Sequence, residues 1–336
     1  MKNKIFKYDF LIVGAGLIGC LAALHLIKNN YNVLIIEKNN NLIRDKRTLA
    51  VNANSKDFLT NLGLWKKLRS TPEPIRKIVI KDNQNISPLI FENFSEEMGN
   101  VVLNTDLLSV SRKELKKKNI IFEGIDIPIR SIMPNKKILI EENYYKFRNI
   151  ILSTGKKNSD ISSLKKISFP NNHEASVGFF DHKYSHNQIA YEIFTPDGPL
   201  AVLPAPSKSK KKSTFIYSSK KRPTRIKIEN LIKKYFYRTH GSVSVYNEIS
   251  NFEILPHITS DKNYNYIIIG DGLRSIHPVA GQGWNLGIKD IQVLGTLLDS
   301  KGINSDDLVR SYYSQRNVES AVYLSFTSFL NSLYNN

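Results

Sequence analysis

The apolar positions near the start of the chain change from strand-like to helix-like spacing and back. Residues 8–13 form a short run of β-branched and aromatic side chains, whereas residues 17–27 place apolar side chains three or four positions apart. A second short apolar run covers residues 32–36 and ends at Glu37. Short apolar runs indicate buried strands, and a period near 3.6 indicates a helix. The pattern therefore predicts a strand, a helix and a second strand, the βαβ unit of a parallel sheet.

Helix-like and strand-like segments alternate along the rest of the chain. The pattern predicts helices over residues 49–64, 104–117, 281–298 and 305–333. Strand-like runs cover residues 75–92, 120–122, 145–152 and 264–269. Between residues 176 and 217, apolar and polar positions alternate around the turn Thr195-Pro196-Asp197-Gly198, which indicates a β-rich region. Parallel-sheet elements are therefore expected near both ends and in the middle of the chain, with sheet-like insertions between them.

The first predicted strand runs into the glycine-rich turn Gly14-Ala15-Gly16-Leu17-Ile18-Gly19, which opens the predicted helix. Gly14 allows the tight turn, Gly16 lets a diphosphate approach the backbone, and Gly19 lets the helix pack closely. A diphosphate bound there lies at the positive end of the helix dipole. Glu37, 23 positions after Gly14, stands where a carboxylate accepts hydrogen bonds from ribose hydroxyls. The alternative is a glycine-rich turn of an unrelated fold, but the combination favours a dinucleotide site, without separating NAD from FAD.

A second glycine-rich loop precedes the long helix predicted near the end of the chain. It contains Gly281 and Gly283, continues into Trp284 and Asn285, and comes soon after His277. A glycine-rich loop that opens a helix directs backbone N–H groups at an anion or an electron-rich carbonyl. In a flavoprotein that target is the pyrimidine edge of the isoalloxazine ring, where negative charge develops on reduction.

The chain of 336 residues is unusually basic. Its formal net charge is +18 at pH 7, and the lysine-rich runs 116–118 and 208–212 contain no interleaved aromatic side chains. Such runs are usually solvated loops, and single-stranded nucleic-acid sites need aromatic stacking platforms. We therefore expect no nucleic-acid partner. The charge leaves open a general lysine bias or attraction to an anionic cofactor or membrane surface.

The cysteine and histidine content bears on compartment and metal binding. Cys20 is the single cysteine, which excludes an internal disulfide framework and fits a reducing, cytoplasmic location. The basic start before the apolar stretch 10–27 is similar to a secretory signal, but Asp9 interrupts that transition and the glycine spacing has the explanation above. His182 and His186 have the spacing of a metal pair without an evident third ligand, so no metal site is expected.

The segment from His277 to Asp290 resembles the signature of the UbiH-type ubiquinone-biosynthesis monooxygenase family at every fixed position, and the resemblance spans about residues 8–333. Besides the first glycine turn and Glu37, it includes Arg47, Ser55, Leu62-Gly63-Leu64-Trp65, Gly99-Asn100-Val101-Val102-Leu103-Asn104 and Pro196-Asp197-Gly198-Pro199-Leu200-Ala201-Val202-Leu203-Pro204. The resemblance implies an α/β fold. A Rossmann-like FAD-binding domain of the para-hydroxybenzoate-hydroxylase (GR2) type would interleave with a β-sheet substrate domain and end in C-terminal helices.

The resemblance also implies how these domains divide the chain. FAD-binding parts are expected at residues 1–74, 99–160 and 257–300, with substrate-domain strands at 75–98 and the β-rich substrate domain at 161–256. C-terminal helices are expected at 301–336, shortened relative to the family. Such a shortening would leave an apolar face to meet a membrane or a partner.

The resemblance further implies which residues bind FAD. The expected ligands of the cofactor are Gly14, Gly16, Gly19, Glu37, Arg47, Asn104, Asp271, Gly281, Gly283, Trp284 and Asn285. By residue type alone, Arg47 could instead form a surface ion pair and Asp271 could cap a helix. His277 is the candidate catalytic residue, and the alternative is a structural role in the His-Pro turn.

The reaction implied by the resemblance has two stages. NADH or NADPH reduces FAD, and O₂ then gives a flavin C4a-hydroperoxide that transfers oxygen to the ring of a polyprenylated phenol in ubiquinone biosynthesis. Because that substrate is membrane-soluble, we expect peripheral contact with the inner membrane and with a ubiquinone-biosynthesis complex.

Three departures from the family keep two other functions open. Ser153-Thr154-Gly155 stands where members usually carry Asp-Gly, and Gly272-Leu273-Arg274 replaces small residues and a histidine. The chain also stops where relatives continue into another helical segment. The alternatives are a hydroxylase of a small soluble aromatic compound and a degenerate flavin-binding scaffold within a quinone-biosynthesis complex.

Overall fold

The computed structural model describes residues 4–40, 47–82, 87–93, 95–132, 136–155, 162–169, 173–277 and 283–334. The helices are α1 Leu17–Lys28, α2 Ala53–Asn61, α3 Asn104–Lys116, α4 Ile129–Ile132, α5 Arg225–His240, α6 Gly283–Lys301 and α7 Leu308–Tyr334. The first ten strands are β1 Ile5–Val13, β2 Val33–Glu37, β3 Thr48–Val51, β4 Glu73–Ile75, β5 Lys77–Lys81, β6 Leu89–Glu92, β7 Gly99–Leu103, β8 Ile121–Glu123, β9 Lys137–Ile140 and β10 Asn143–Leu152. The others are β11 Leu164–Ser168, β12 Glu174–His182, β13 Ile189–Thr195, β14 Gly198–Pro204, β15 Lys212–Ser219, β16 Val243–Val245, β17 Ser250–Glu253, β18 His257–Asp261, β19 Tyr266–Ile268 and β20 Arg274–Ser275.

A six-stranded sheet forms the first large layer of the described residues. Strands β19, β10, β1, β2 and β8 run parallel in that order, and β9 pairs antiparallel with β10. Residues 10–12 of β1 are completely buried, as expected for a strand in a parallel sheet that is covered on both faces. Helix α1 packs against both α3 and α6. The strand–helix–strand unit predicted at the start of the chain is therefore present as β1, α1 and β2.

An eight-stranded sheet forms the second large layer. Its strand order is β16-β12-β15-β14-β13-β5-β6, and β17 also pairs with β12. Neighbouring strands are antiparallel except for β13 and β5, which are parallel. One face packs against Ile228, Ile232 and Phe236 of α5. On the opposite face, the hydroxyl of Thr214 in β15 lies 3.5 Å from that of Thr48 in β3.

Two three-stranded antiparallel sheets, β3-β7-β4 and β11-β18-β20, complete the sheet structure of the described chain. The two large sheets draw their strands from alternating stretches of sequence: β5 and β6 of the second sheet fall between β2 and β8 of the first. The residue boundaries of the six segments that the sequence suggests remain predictions.

The predicted helix over residues 49–64 is wrong in its first part. Residues up to Val51 form β3, which pairs with β7, and α2 begins only at Ala53. Asn52 separates the two elements, because its side chain caps α2 by accepting a hydrogen bond of 2.8 Å from the backbone N–H of Ser55. The apolar residues before this cap fit a helical period and a short buried strand equally well.

The end of the chain is a single long helix in the described residues, α7, where the sequence suggested several. Within the stretches that the structure describes, no helix is both long enough and apolar enough to cross a membrane.

Three buried histidines, His182, His186 and His240, gather at one end of the eight-stranded sheet. The ring centroid of His182 lies 4.6 Å from that of His240 and 6.2 Å from that of His186. The Nδ1 atom of His186 accepts a hydrogen bond of 3.1 Å from the backbone N–H of Gln188, and Nε2 of His182 lies 2.9 Å from the Ser213 hydroxyl. Burial is the main cause that lowers the pKa of His186 to about 4 and of His240 to about 3.

We expect this cluster to make the folded protein less stable at pH 5 than at pH 7.5. Unfolded histidines bind a proton near pH 6.5, whereas the buried rings bind one only near pH 4 or below, so acid favours the unfolded chain. Each such histidine costs about 1–2 kcal/mol at pH 5. In His186→Asn the amide oxygen replaces Nδ1 as the hydrogen-bond acceptor but binds no proton. The free energy of unfolding, measured with urea, should therefore fall less between pH 7.5 and pH 5 than in the wild type. An equal loss in both proteins would contradict this explanation.

Candidate active site

A cleft of about 1450 Å³ lies between the two large sheets. Small-molecule sites typically enclose roughly 300–1,000 Å³, so the cleft has room for a large ligand. The predicted site residues on its wall are Gly14, Gly16, Glu37, Arg47, Asn104, Asp271, Gly283 and Trp284. Residues from both glycine turns therefore line one cleft, although 269 positions of sequence separate Gly14 from Gly283.

The first glycine turn is tightly packed at Gly14 and Gly19 and open at Gly16. A Cβ atom added to Gly14, whose φ is +102°, would lie 2.5 Å from the carbonyl oxygen of Ser153, and one added to Gly19 would lie 2.1 Å from the carbonyl oxygen of Gly14. At Gly16 an added Cβ would have no atom within 4 Å, although φ is an ordinary −66°. The open space beside Gly16, at the N-terminus of α1, is where the fingerprint places a diphosphate.

Glu37, at the end of β2, holds the first turn in shape. Its Oε2 atom accepts a hydrogen bond of 2.8 Å from the backbone N–H of Ala15, and Oε1 accepts one of 3.0 Å from that of Asn39. The Arg112 side chain of α3 donates to the carbonyl oxygen of Ala15 at 3.2 Å. Arg112 could not be recognised from its residue type, because a lone arginine on a helix is usually solvated. Ala15 is therefore held from two sides, and the carboxylate that holds it also lines the cleft.

The second glycine turn reaches the cleft where α6 begins. An added Cβ on Gly283 would have no atom within 4 Å. The side chains of Trp284 and Asn285 donate hydrogen bonds of 3.2 and 2.9 Å to the carbonyl oxygen of Ala50 in β3. These bonds fix the start of α6 against β3. Because the first N–H groups of a helix have no acceptor within the helix, this turn offers donors to a ligand.

Close packing of α1 on α6 brings the two turns together. A Cβ added to Gly287 of α6 would lie 2.7 Å from Cδ1 of Ile18 in α1. A Cβ added to Gly270, just after β19, would lie 3.3 Å from Cγ2 of the same side chain. The absence of a side chain at both glycines therefore leaves the room that Ile18 occupies between α1, α6 and the turn after β19.

Asp290 of α6 anchors the loop that follows β19. Its fully buried carboxylate accepts hydrogen bonds from the backbone N–H of Gly270 at 2.9 Å, from Nη1 of Arg274 at 2.8 Å and from Nε of Arg316 at 2.8 Å. Burial raises the pKa of Asp290, and the two arginines oppose that rise. Arg274, which departs from the residue type usual in the family, therefore has a structural explanation. It pairs with Asp290, which holds the loop that carries Asp271.

The remaining polar residues predicted for the cofactor site also line the cleft. The guanidinium carbon of Arg47 lies 4.8 Å from the ring centroid of Phe252 in β17, a cation–π contact. The backbone N–H of Asn104, the first residue of α3, donates to the carbonyl oxygen of Arg47 at 3.0 Å. Asp271 is exposed in the 3-10 turn Gly270–Gly272.

His277 lies behind the cleft wall, directly after Ser275 and Ile276, which line it. Its side chain is 3% exposed, and neither ring nitrogen has a hydrogen-bond partner among the described residues. Its ring centroid lies 5.9 Å from that of His173. Burial and, to a smaller extent, His173 lower the pKa of His277 to about 4, so the ring is neutral at pH 7. A neutral imidazole can accept a hydrogen bond from a hydroxyl group.

The cleft wall formed by the eight-stranded sheet is mostly apolar. Its apolar side chains there are Ala175 and Val177 of β12, Leu203 of β14, Ile216 of β15 and Phe252 of β17, and Glu253 of β17 is its charged residue. The sequence indicated a β-rich substrate domain, but alternation alone does not tell which face of a sheet meets a ligand. This wall was therefore not predicted residue by residue.

Three predicted cofactor ligands are not among the cleft-lining residues. Gly19 packs against the Gly14 carbonyl, and Asn285 binds Ala50 with its side chain. Gly281 lies outside the described residues. Gly19 and Asn285 therefore contact residues that line the cleft but do not line it themselves.

The model of the FAD binding domain family matches residues 7–114 and 171–326, which together make up more than half of the chain. The chain belongs to this FAD-binding family. Membership confirms FAD as the expected cofactor and, together with the sheets described above, the expected α/β fold.

Relatives and a solved structure resemble the chain over nearly all of its length. Ubiquinone hydroxylase UbiL of Rhodospirillum rubrum is 24% identical, over 98% of this chain and 82% of its own. The mitochondrial ubiquinone-biosynthesis monooxygenase COQ6 of Caenorhabditis elegans is also 24% identical, over 99% of this chain and 90% of its own. PqsL of Pseudomonas aeruginosa, a probable FAD-dependent monooxygenase, shares the fold with a TM-score of 0.73 and 15% identity, over 98% of this chain and 97% of that one. The resemblance to ubiquinone-biosynthesis monooxygenases is thereby confirmed.

The Ser153-Thr154-Gly155 departure leaves the cleft wall intact. All three residues line the cleft. The backbone N–H of Ser153 donates to the carbonyl oxygen of Val13 at 2.9 Å, which continues the β1–β10 pairing to the first glycine turn. The substitution therefore changes the side chains in this wall and keeps its backbone.

The residues present fit FAD. The uncovered space beside Gly16 suits a diphosphate, the Glu37 carboxylate suits ribose hydroxyls, and the N-terminus of α6 offers donors at a second point of the same cleft. Among the described glycines of the two turns, Gly16 and Gly283 are the positions where an added Cβ would meet no protein atom within 4 Å and would instead enter the space for the ligand.

Gly16→Ala should fold normally and bind FAD at least about tenfold more weakly, because the new methyl group points into the diphosphate space and meets no protein atom. Flavin fluorescence titration measures the dissociation constant, and thermal unfolding without FAD provides the folding control. Unchanged FAD affinity in a folded variant would show that the diphosphate does not bind beside Gly16.

Proposed function

We propose that the protein is an FAD-dependent monooxygenase that hydroxylates the aromatic ring of a polyprenylated phenol in ubiquinone biosynthesis. The observation that carries this proposal is the shared cleft, which has two glycine turns on one side and an apolar sheet face on the other. The similarity to UbiL and COQ6 supports the substrate class, because it extends over almost the whole chain. An apolar wall also suits a phenol with a hydrocarbon tail better than a small charged aromatic compound.

Each part of the cleft would hold a different part of the cofactor. Gly16 and the first turn of α1 would bind the diphosphate, with Arg47 as its cationic partner, and Glu37 would accept hydrogen bonds from the adenosine ribose. The start of α6, at Gly283 and Trp284, would bind the flavin ring. Bound FAD supplies the electron transfer and oxygen chemistry, with NADH or NADPH as the proposed electron donor.

The protein itself has three tasks in this reaction. The apolar wall from Val177, Leu203 and Ile216 excludes water and positions the aromatic ring. The helix N-terminus at Gly283 stabilises negative charge at the ring edge that it faces. His277 is neutral at pH 7 and lies behind Ser275 and Ile276, and we propose that a phenol hydroxyl that reaches past these two residues donates a hydrogen bond to it and so gains electron density in its ring.

We also propose that the protein works at a membrane surface. Its net charge of +18 favours binding to anionic lipid headgroups, from which a polyprenylated phenol would be taken up.

The purified protein is expected to be yellow, to lose its flavin absorbance with NADH or NADPH under nitrogen, and to regain it in air. A polyprenylphenol should accelerate the reduction and leave as a product with one additional oxygen atom, detected by mass spectrometry with ¹⁸O₂ as the source. A protein that binds FAD and hydroxylates only tail-less phenols would overturn the proposed substrate class. A flavin-binding protein that the nicotinamide coenzymes do not reduce would favour the scaffold function.

His277→Asn should lower kcat for phenol hydroxylation by about 100-fold or more, with FAD affinity and thermal stability unchanged, because only the hydrogen-bond acceptor for the phenol is displaced. In the wild type, the pKa of about 4 predicts no loss of this function between pH 8 and 6, since His277 stays neutral throughout that range. His25→Asn, in a separate groove beside α6, is the matched control. Equal kcat in wild type and His277→Asn would leave His277 a structural role only.

A further inference from the structure

The edge strand β6 exposes two large apolar side chains on the face of the eight-stranded sheet that lines the cleft. Leu89 is 56% exposed and Phe91 is 44% exposed. Ile90 lies between them and, because side chains alternate along a strand, points to the opposite face. Its strand partner is Val79, which packs in the core beneath α5.

The strand register connects Leu89 to the cleft. Leu89 pairs with Ile80 of β5, Ile80 with Glu192 of β13, Glu192 with Ala201 of β14, and Ala201 with Ile216 of β15. Residues directly opposite each other on paired strands point to the same face of a sheet. Ile216 lines the cleft, so this row of side chains begins at the cleft wall and ends at an exposed leucine.

A second row runs beside the first. Phe91 pairs with Ile78 and Ile78 with Ala190. Ala190 packs in one apolar cluster with Leu203, which also lines the cleft. Strands lie about 4.8 Å apart, so the row covers roughly 14 Å from Leu203 to Phe91. Ile75 and Val101 pack directly against this row in one buried cluster. The two rows together make a strip that is apolar except for Glu192, is covered near the cleft and is open at β6.

The middle of the first row carries one buried carboxylate. Glu192 is only 7% exposed, and its pairing with Ala201 places it diagonally beside Leu203, at a separation of roughly 7–8 Å for such neighbours. From Glu192 outward the face is apolar through Ile80 to Leu89. This order, a carboxylate near the cleft and hydrocarbon beyond it, matches a ligand with a hydroxylated ring and an apolar tail.

We propose that this strip is the binding path for the hydrocarbon tail of the substrate. The ring lies in the cleft against Leu203, with Glu192 as a polar neighbour of its substituents, and the tail crosses Ile78 and Ile80 and leaves the protein over Leu89 and Phe91. This inference deepens the proposed function and rests on its substrate class. The occupant is assigned by continuity, because the exposed end and the cleft wall belong to the same rows of one sheet face.

A double variant, Leu89→Ser with Phe91→Ser, tests the path, and Ile90→Ser is its matched control on the same strand and the opposite face. The probes are a phenol with a four-isoprene tail at position 2 and 2-methylphenol, both in non-ionic detergent. Dissociation constants are measured by quenching of the flavin fluorescence of the holoprotein. The double variant should bind the tailed phenol at least about tenfold more weakly, with 2-methylphenol unaffected, because the tail loses two apolar contacts. Ile90→Ser should bind both phenols like the wild type.

Equal affinity of wild type and double variant for the tailed phenol would overturn the path. If only vesicle binding fell in the double variant, Leu89 and Phe91 would be a membrane contact, which also overturns it. A tailed phenol with a diazirine at the tail end should label the peptide that contains residues 87–93, and labelling elsewhere would contradict the path.

Binding and labelling do not depend on turnover, so the two proposals can fail separately. A tailed phenol that labels β6 without being hydroxylated would refute the proposed function and support the path. A tailed phenol that is hydroxylated but labels another surface would support the proposed function and refute the path.

Discussion

The contact of Ile18 with Gly270 and Gly287 is the constraint on which the rest of the site depends. It lets α1 and α6 approach so closely that their N-termini open into the same cleft. Each N-terminus alone is an ordinary anion-binding feature of a helix. Placed together, they offer donors at two points of one space, which is what a ligand with a diphosphate and a separate electron-rich ring requires. A side chain at either glycine would crowd Ile18, which would have to shift to make room for it.

The buried ion cluster around Asp290 supports this arrangement from behind. Asp290 joins Gly270, Arg274 and Arg316, and so ties β19, β20, α6 and α7 to one carboxylate. Buried ion pairs add little net stability, because removing charges from water costs about as much as their attraction returns. We therefore interpret the cluster as a device for positioning. It fixes the loop with Asp271 relative to the start of α6, and it explains why an arginine stands at position 274.

Local patterns in the sequence predicted the fold and much of the cleft wall. The two glycine turns and Glu37 could be placed from their positions after strands and at helix starts, whereas Arg47, Asn104 and Asp271 were expected from the resemblance to the monooxygenase family. The strand at Thr48–Val51 was missed, since four apolar residues before a cap do not distinguish strand from helix. Arg112 and the apolar wall could not be found, because their positions depend on packing between elements distant in sequence. The expected backbone contact of Asn285 with the flavin ring stays a prediction, and the hydrogen bond from its side chain to the carbonyl of Ala50 was not foreseen.

A crystal structure of the protein grown with FAD tests the central claim most directly. This account predicts one FAD per chain, with its diphosphate within hydrogen-bond distance of the backbone at Gly16 and its isoalloxazine ring in contact with Gly283 and Trp284. Density for FAD at another surface, or for a ligand that reaches only one of the two glycine turns, would contradict it.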